Sequence, residues 1–273
     1  MTHATITFIG AGNMATSLIG GLVERGYPAD HIWACDPSEV CRNAAAALGV
    51  NVTEDNSLAV NQANIVVIAV KPQVLKEVIT PLQAAFASAR PMVLSIAAGI
   101  PMASLEQWLG EDLPVVRCMP NTPALLQEGA TGLYANKHVS EQNRALATEI
   151  LNAVGISLWV DSEADLDTVI AVSGSGPAYF FLLLEAMQNV AEEMGLSAEV
   201  AAALAQQTAK GAARMALEGD VEVAELRRRV SSPGGTTEQA ILTFERGGFR
   251  ELVRDAMVNC VKRAEQMAIE MGD

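Results

Sequence analysis

From residue 4 to about residue 160, short apolar runs rich in β-branched residues alternate with longer stretches whose apolar positions recur every three or four residues. The runs TITFI, HIWAC, NIVVIAV, MVLSI, PVVRCM and ISLWV predict strands, and helical pattern between successive strands predicts a parallel sheet covered by helices. After Asp161 the strand pattern vanishes. Alanine, leucine, methionine and glutamate take over, with Met187, Val190, Ala191 and Met194 on one helix face, so the second half is expected to be all helix. The run AYFFLLL at 178–184 is halted by Glu185, far short of the ~20 residues that span a bilayer, and reads as a buried helix segment. Near the end, Val253, Met257, Cys260, Ala264 and Met267 fall at spacings of four and three. That seam suits either a helix on its own core or a subunit interface. With no repeat or loose linker, the change of periodicity divides the chain into 1–161 and 162–273.

Composition narrows the partners. Eighteen basic against thirty-two acidic residues give a net charge of −14, which argues against nucleic acid and against an anionic membrane surface. Cys35, Cys41, Cys118 and Cys260 are scattered without a paired spacing or a histidine neighbour, so no metal site is expected and a reducing cytoplasm is. The start, MTHATITFIGAG, lacks the basic and long apolar regions of a secretory signal.

The first chemistry-bearing motif is GAGNMA, set between a strand and a helix pattern. This is the context of a dinucleotide site, and it predicts a Rossmann-type α/β domain. Gly10 allows the tight turn, Gly12 lets the backbone approach a pyrophosphate, and Ala15 lets the helix sit close to the strand. Asp36, at the end of the second strand, is placed to accept from a ribose 2′-hydroxyl and to repel a 2′-phosphate, which leans toward NADH. Ser38 and Arg42 are candidate phosphate contacts that soften this preference. Ligands in open parallel sheets lie beyond the carboxyl ends of strands, where VKP and AAG stand. The expected cofactor contacts are Ile9, Gly10, Ala11, Gly12, Asn13, Met14, Asp36, Asn56, Ala69, Val70, Lys71, Pro72, Ala98 and Gly99. Asn121 and Thr122, between two prolines, form a rigid polar turn at the same edge, with or without a ligand.

Taken in order, GAGNMA, AVKPQ, RCMPNTP, VSGSGPAYFF and VSSPGGTT resemble pyrroline-5-carboxylate reductase over essentially the whole chain. The resemblance implies a Rossmann domain followed by an all-α dimerisation domain. It implies NADPH- or NADH-dependent reduction of a cyclic imine to proline without a metal, and dimers assembled into rings. It gives Thr237 the catalytic role of hydrogen-bonding the ring nitrogen, sets Ser231, Ser232 and Thr236 around the carboxylate, and makes Glu163 a substrate-side acid. Arg229 stands where some members have asparagine.

The chemistry agrees with that assignment. A protonated cyclic imine is already electrophilic and needs positioning more than an acid. SSPGGTTE reads as a helix start whose amides, around Gly234, Gly235 and Thr236, face a carboxylate. SGSGPAY reads as a glycine turn before an apolar helix. A β-hydroxyacid dehydrogenase would need a lysine on the helical half, where Lys210 stands among small residues; a non-catalytic dinucleotide sensor would not need the intact SPGGTT turn.

Overall fold

The structure is a computed structural model that describes residues 3–110 and 112–272. It divides into two units. The first runs as far as Ser175 and resumes at Cys260; the second is Gly176–Asn259.

The first unit is built on one eight-stranded sheet, from β1 (Ile6–Ile9), β2 (Ile32–Cys35), β3 (Asn51–Thr53), β4 (Ile65–Ile68), β5 (Met92–Ser95), β6 (Val115–Met119), β7 (Gly129–Ala135) and β8 (Gly155–Trp159). Their order is β3-β2-β1-β4-β5-β6-β7-β8. Its helices are α1 (Asn13–Glu24), α2 (Glu39–Ala46), α3 (Asn56–Val60), α4 (Pro72–Ile79), α5 (Gln83–Ala89), α6 (Met102–Leu109), α7 (Glu141–Asn152) and α8 (Asp165–Val169). The central strands β1, β2, β4, β5 and β6 are largely continuous apolar runs because both faces of the sheet are covered there. Ile6, Phe8, Ile65 and Val67 pack with Leu18, Ile19 and Leu22 of α1. Ile9, Val66 and Ile68 pack on the opposite face with Leu75, Ile79, Phe86, Leu105 and Trp108.

All six expected strands form, and two more join them. β3 is only three residues long and half-buried, too short for its pattern to register. β7 pairs antiparallel with β6, so the sheet is not wholly parallel as expected. The short 3₁₀ connection Thr122–Leu126 leaves no room for the crossover a parallel strand requires. The sequence GATGLYA hides this strand behind glycines that close packing demands. A Cβ on Gly132 would lie 2.7 Å from Val169 Cγ1, and one on Gly129 would lie 2.8 Å from the Val154 carbonyl oxygen.

The second unit is helical, as expected: α9 (Gly176–Glu193), α10 (Ala198–Glu218), α11 (Val223–Arg229), α12 (Thr236–Arg246) and the first half of α13 (Phe249–Gly272). Ser197 caps α10, its Oγ accepting from the Val200 amide at 3.3 Å. Among the described residues of this unit only Gly176, Ala201 and Ala205 are buried. The expectation that AYFFLLL is buried therefore fails in the single chain, where Phe180, Phe181 and Leu182 are each about two-thirds exposed. By length and composition alone the continuous helical stretch Asp165–Glu193 could even cross a membrane. Glu185 does not interrupt the helix, which runs on to Glu192 and Glu193 at its end.

Candidate active site

The nucleotide end of the site begins at β1. Gly10 has φ +94°, and a Cβ on it would lie 2.8 Å from the Ala69 carbonyl group, so only glycine carries the chain past the end of β4. Its amide donates to the Cys35 carbonyl at 2.7 Å, tying the turn to β2. Gly12 is the N-cap of α1, and a Cβ there would meet nothing within 4 Å. The amides of Asn13 and Met14 have no hydrogen-bond partner among the described residues, and Ala15 is buried against the sheet. An open cradle with unpaired helix-start amides fits a pyrophosphate.

Asp36 closes one side of this cradle. Its Oδ2 accepts from the Ala11 amide at 2.9 Å and its Oδ1 from the Ser38 amide at 2.8 Å, which fixes the carboxylate next to the glycine turn. Arg42 is not available as expected. Its Nη1 donates to the carbonyls of Asp36 and Pro37 at 2.7 and 2.9 Å, and its Nη2 pairs with Glu54 at 3.2 Å. Asn56 opens α3, directly after this corner. Ile9 and Ala69 stand at neighbouring strand ends, joined by an Ala69 amide to Ile9 carbonyl bond of 2.8 Å. Val70 follows, Lys71 is the N-cap of α4, and Pro72 is its first residue. Past β5, Ala98 and Gly99 line a cavity of about 270 Å³ with Ile170, Ser175, Cys260 and Met267.

Glu163 is held between α6 and β6. Its Oε1 accepts from the Met102 amide at the start of α6 at 2.6 Å and pairs with the buried Arg117 at 2.5 Å. The adjacent Asp167 carboxyl is raised above its ordinary pKa, chiefly by burial and also by Glu265 and Glu163, against the pull of Arg117. Arg117 is a residue that the sequence reading passed over. A single arginine inside an apolar strand run was its only signal. Asn121 is spent on structure: its side chain donates to the Ser173 carbonyl and accepts from the Ala130 amide, both at 2.9 Å.

SGSGPAY is not the glycine turn expected. Ile170–Gly174 forms a π-helix that joins α8 to α9, closed by the Ser175 amide on the Ile170 carbonyl at 2.8 Å. Gly174 is tolerated inside helix because its neighbours are close: a Cβ there would lie 3.1 Å from Met119 Cε. Ser175 Oγ and Cys260 Sγ are 3.2 Å apart at the cavity wall. A π-turn at such a position is a frequent mark of a functional site.

In the helical unit the SSPGGTT turn precedes α12. Gly234 has φ +72° and Gly235 is the N-cap. The open amides are not those expected. Gly234 donates to Glu238 Oε2 at 2.8 Å and Gly235 to the Ser232 carbonyl at 2.9 Å, so neither is open as expected. The amides of Thr236, Thr237 and Glu238 have no partner among the described residues. Ser231 Oγ donates to the Arg227 carbonyl at 2.7 Å, while among the described residues no hydrogen bond occupies the hydroxyls of Ser232, Thr236 or Thr237. Arg228 and Arg229 pair with Glu225, and Arg227 with Glu245.

A glycine-cradled turn with open helix-start amides, at the carboxyl edge of a mostly parallel sheet and followed by a helical unit, is the framework of a nicotinamide-dinucleotide-dependent oxidoreductase. A pyrroline-5-carboxylate reductase of Pseudomonas aeruginosa is 54% identical over 273 residues, covering 100% of both chains. The chain belongs to the pyrroline-5-carboxylate reductase family. Residues 163–267 match the model for pyrroline-5-carboxylate reductase dimerisation, and residues 5–99 match that for NADP oxidoreductase, coenzyme F420-dependent. The solved reductase from Coxiella burnetii is 43% identical and superposes with a TM-score of 0.94, covering 98% of this chain and 99% of its own. A Plasmodium falciparum pyrroline carboxylate reductase solved with NADP bound is 29% identical with a TM-score of 0.86, covering 98% of this chain and 99% of its own. The chain is thus an oxidoreductase of an NADP-using class, and its helical region is a self-association domain.

Proposed function

We propose that the protein reduces 1-pyrroline-5-carboxylate to L-proline with NADPH or NADH, the last step of proline biosynthesis, in the cytoplasm. The observation that carries this reading is the turn before α12, where three unpaired amides and free hydroxyls stand together at a helix N-terminus. Residues 1–161 hold the dinucleotide and residues 162–273 the substrate and the subunit interface. When bound, the dinucleotide supplies a hydride to the imine carbon. The amides of 236–238, with Ser232 and Thr236, bind the carboxylate. Ser231 joins them as a donor by turning its hydroxyl from the Arg227 carbonyl to the carboxylate. Thr237 holds the ring nitrogen through its hydroxyl as the positive charge there is lost, and the resulting amine later takes a proton from water. No strong acid is required, because positioning supplies the rate. Glu163 contributes on the substrate side through Oε2, its Oε1 being taken.

Self-association completes the picture. Exposed apolar residues on α9 and a groove of about 800 Å³ lined by Leu183, Ile241, Phe244, Val253, Met257 and Val258 suit a second copy of the chain. The dimers are proposed to assemble further into a ring, each active site completed by the neighbour's SSPGGTT turn. Initial rates of NADPH and NADH consumption with 1-pyrroline-5-carboxylate test the reading. Turnover of a β-hydroxyacid instead, or binding without consumption, would overturn it.

A further inference from the structure

The corner that faces the adenosine end of the dinucleotide carries an ion pair with a job beyond holding α2 in place. Thr53 lies opposite Cys35 in the β2–β3 register, and the Asp36 amide donates to the Thr53 carbonyl at 3.3 Å. Residues 54–56 are thereby set beside 36–38 at the sheet edge. Asp36, Glu54 and Asp55 stand there, and among the described residues the cation paired at this corner is Arg42. The Arg42 side chain is 16% exposed, whereas that of Glu54 is 73% exposed, so the carboxylate reaches in from solvent to a guanidinium already anchored by two carbonyls.

An arginine near the acid at the end of β2 is the group that accommodates a 2′-phosphate, and the acid itself is the group that selects a 2′-hydroxyl. Here the arginine's remaining N–H face is turned to Glu54. We infer that Glu54 is a specificity-determining residue: by occupying and neutralising Arg42, it biases the site toward the dinucleotide without a 2′-phosphate. The inference rests on the dinucleotide-dependent reading above. It locates the preference in a pair, because Asp36 repels the phosphate while Glu54 withholds the one cation that could offset the repulsion. Among the described residues Arg42 pairs with Glu54 and not with Asp55, whose Oδ1 accepts from the Leu58 amide at 3.0 Å as the cap of α3.

The test is equilibrium binding of NADPH and NADH to the full-length protein in the absence of imino acid, followed by calorimetry or cofactor fluorescence, so that no turnover is required. Glu54→Gln should tighten NADPH relative to NADH by about tenfold, and the gain should shrink as salt rises. In the Glu54→Gln, Arg42→Ala double variant the gain should vanish, because Arg42 is the group released. An unchanged ratio in Glu54→Gln, or a gain that survives loss of Arg42, overturns the inference. Failure of the unaltered protein to bind either dinucleotide overturns the oxidoreductase reading as well, and is distinguished by appearing before any substitution is made.

Discussion

Asp36 has both carboxylate oxygens tied to backbone amides, one in the glycine turn and one at the start of α2. Each oxygen keeps a lone pair, so the residue can organise the turn and still meet a ribose hydroxyl. Asp36→Ser should therefore shift the NADPH-to-NADH ratio of kcat/KM toward NADPH by about tenfold, ~1.4 kcal/mol, and should also lower the melting temperature, because two amides lose their acceptor. A changed melt with an unchanged ratio would leave Asp36 as a purely structural group. Glu163 differs in kind. Its partner Arg117 is buried, so Glu163→Gln would leave that cation with Asp167 as its remaining acidic neighbour and should cost about 2 kcal/mol of stability, measured by denaturant unfolding. The thiols differ as well. Burial, with Asp55 and Asp36 adding to it, pushes Cys35 up to about 12, and burial raises Cys118 too. Maleimide at neutral pH should label Cys41 and Cys260 well before those two, which mass spectrometry of timed digests would show.

Strands buried on both faces declare themselves as apolar runs, which is why β1, β2, β4, β5 and β6 were legible in the sequence; the edge strand β8, with Ile156 and Leu158 exposed, was legible from its apolar residues alone. β7 was not, because the glycines that let it pack against Val169 and Val154 erase the pattern that would have marked it. The site followed the same rule. GAGNMA and SSPGGTT are short, local and chemically explicit, whereas the Arg117–Glu163 pair joins residues far apart in sequence and leaves no local motif. The π-turn at Ile170–Gly174 looked like a loop, since glycine and serine are its only visible signs. Within the turn before α12, two substitutions should separate. Thr237→Val keeps the backbone and removes one hydroxyl, so kcat should fall by roughly 10- to 100-fold, ~1.4–3 kcal/mol, with cofactor affinity unchanged. Gly235→Val places a Cβ where even the first carbon would lie 2.9 Å from the Ser232 carbonyl, so KM for the imino acid should rise first. Initial rates against varied substrate and cofactor distinguish the two, and a wild-type kcat in Thr237→Val would reduce its hydroxyl to a capping group.

For the molecule as a whole, the helical unit has too few buried residues to be stable by its own packing, so association and folding are expected to be linked. The α13 seam read from the sequence does not act as one surface. Ala264 is buried against the first unit's own residues, and a charge there would damage the fold rather than report on an interface. Phe181, about two-thirds exposed in the single chain, is the better probe. Phe181→Glu should dissociate the protein in sedimentation and abolish activity together; a fully active monomer would refute the shared site. The central claim, hydride delivery to the carbon of a cyclic imine, is tested most directly by a label. With nicotinamide dinucleotide carrying deuterium at the transferring position, the product of 1-pyrroline-5-carboxylate should be proline with one deuterium on the ring carbon that neighbours nitrogen and bears no carboxylate. Unlabelled proline, or no proline at all from the folded protein, would contradict the account.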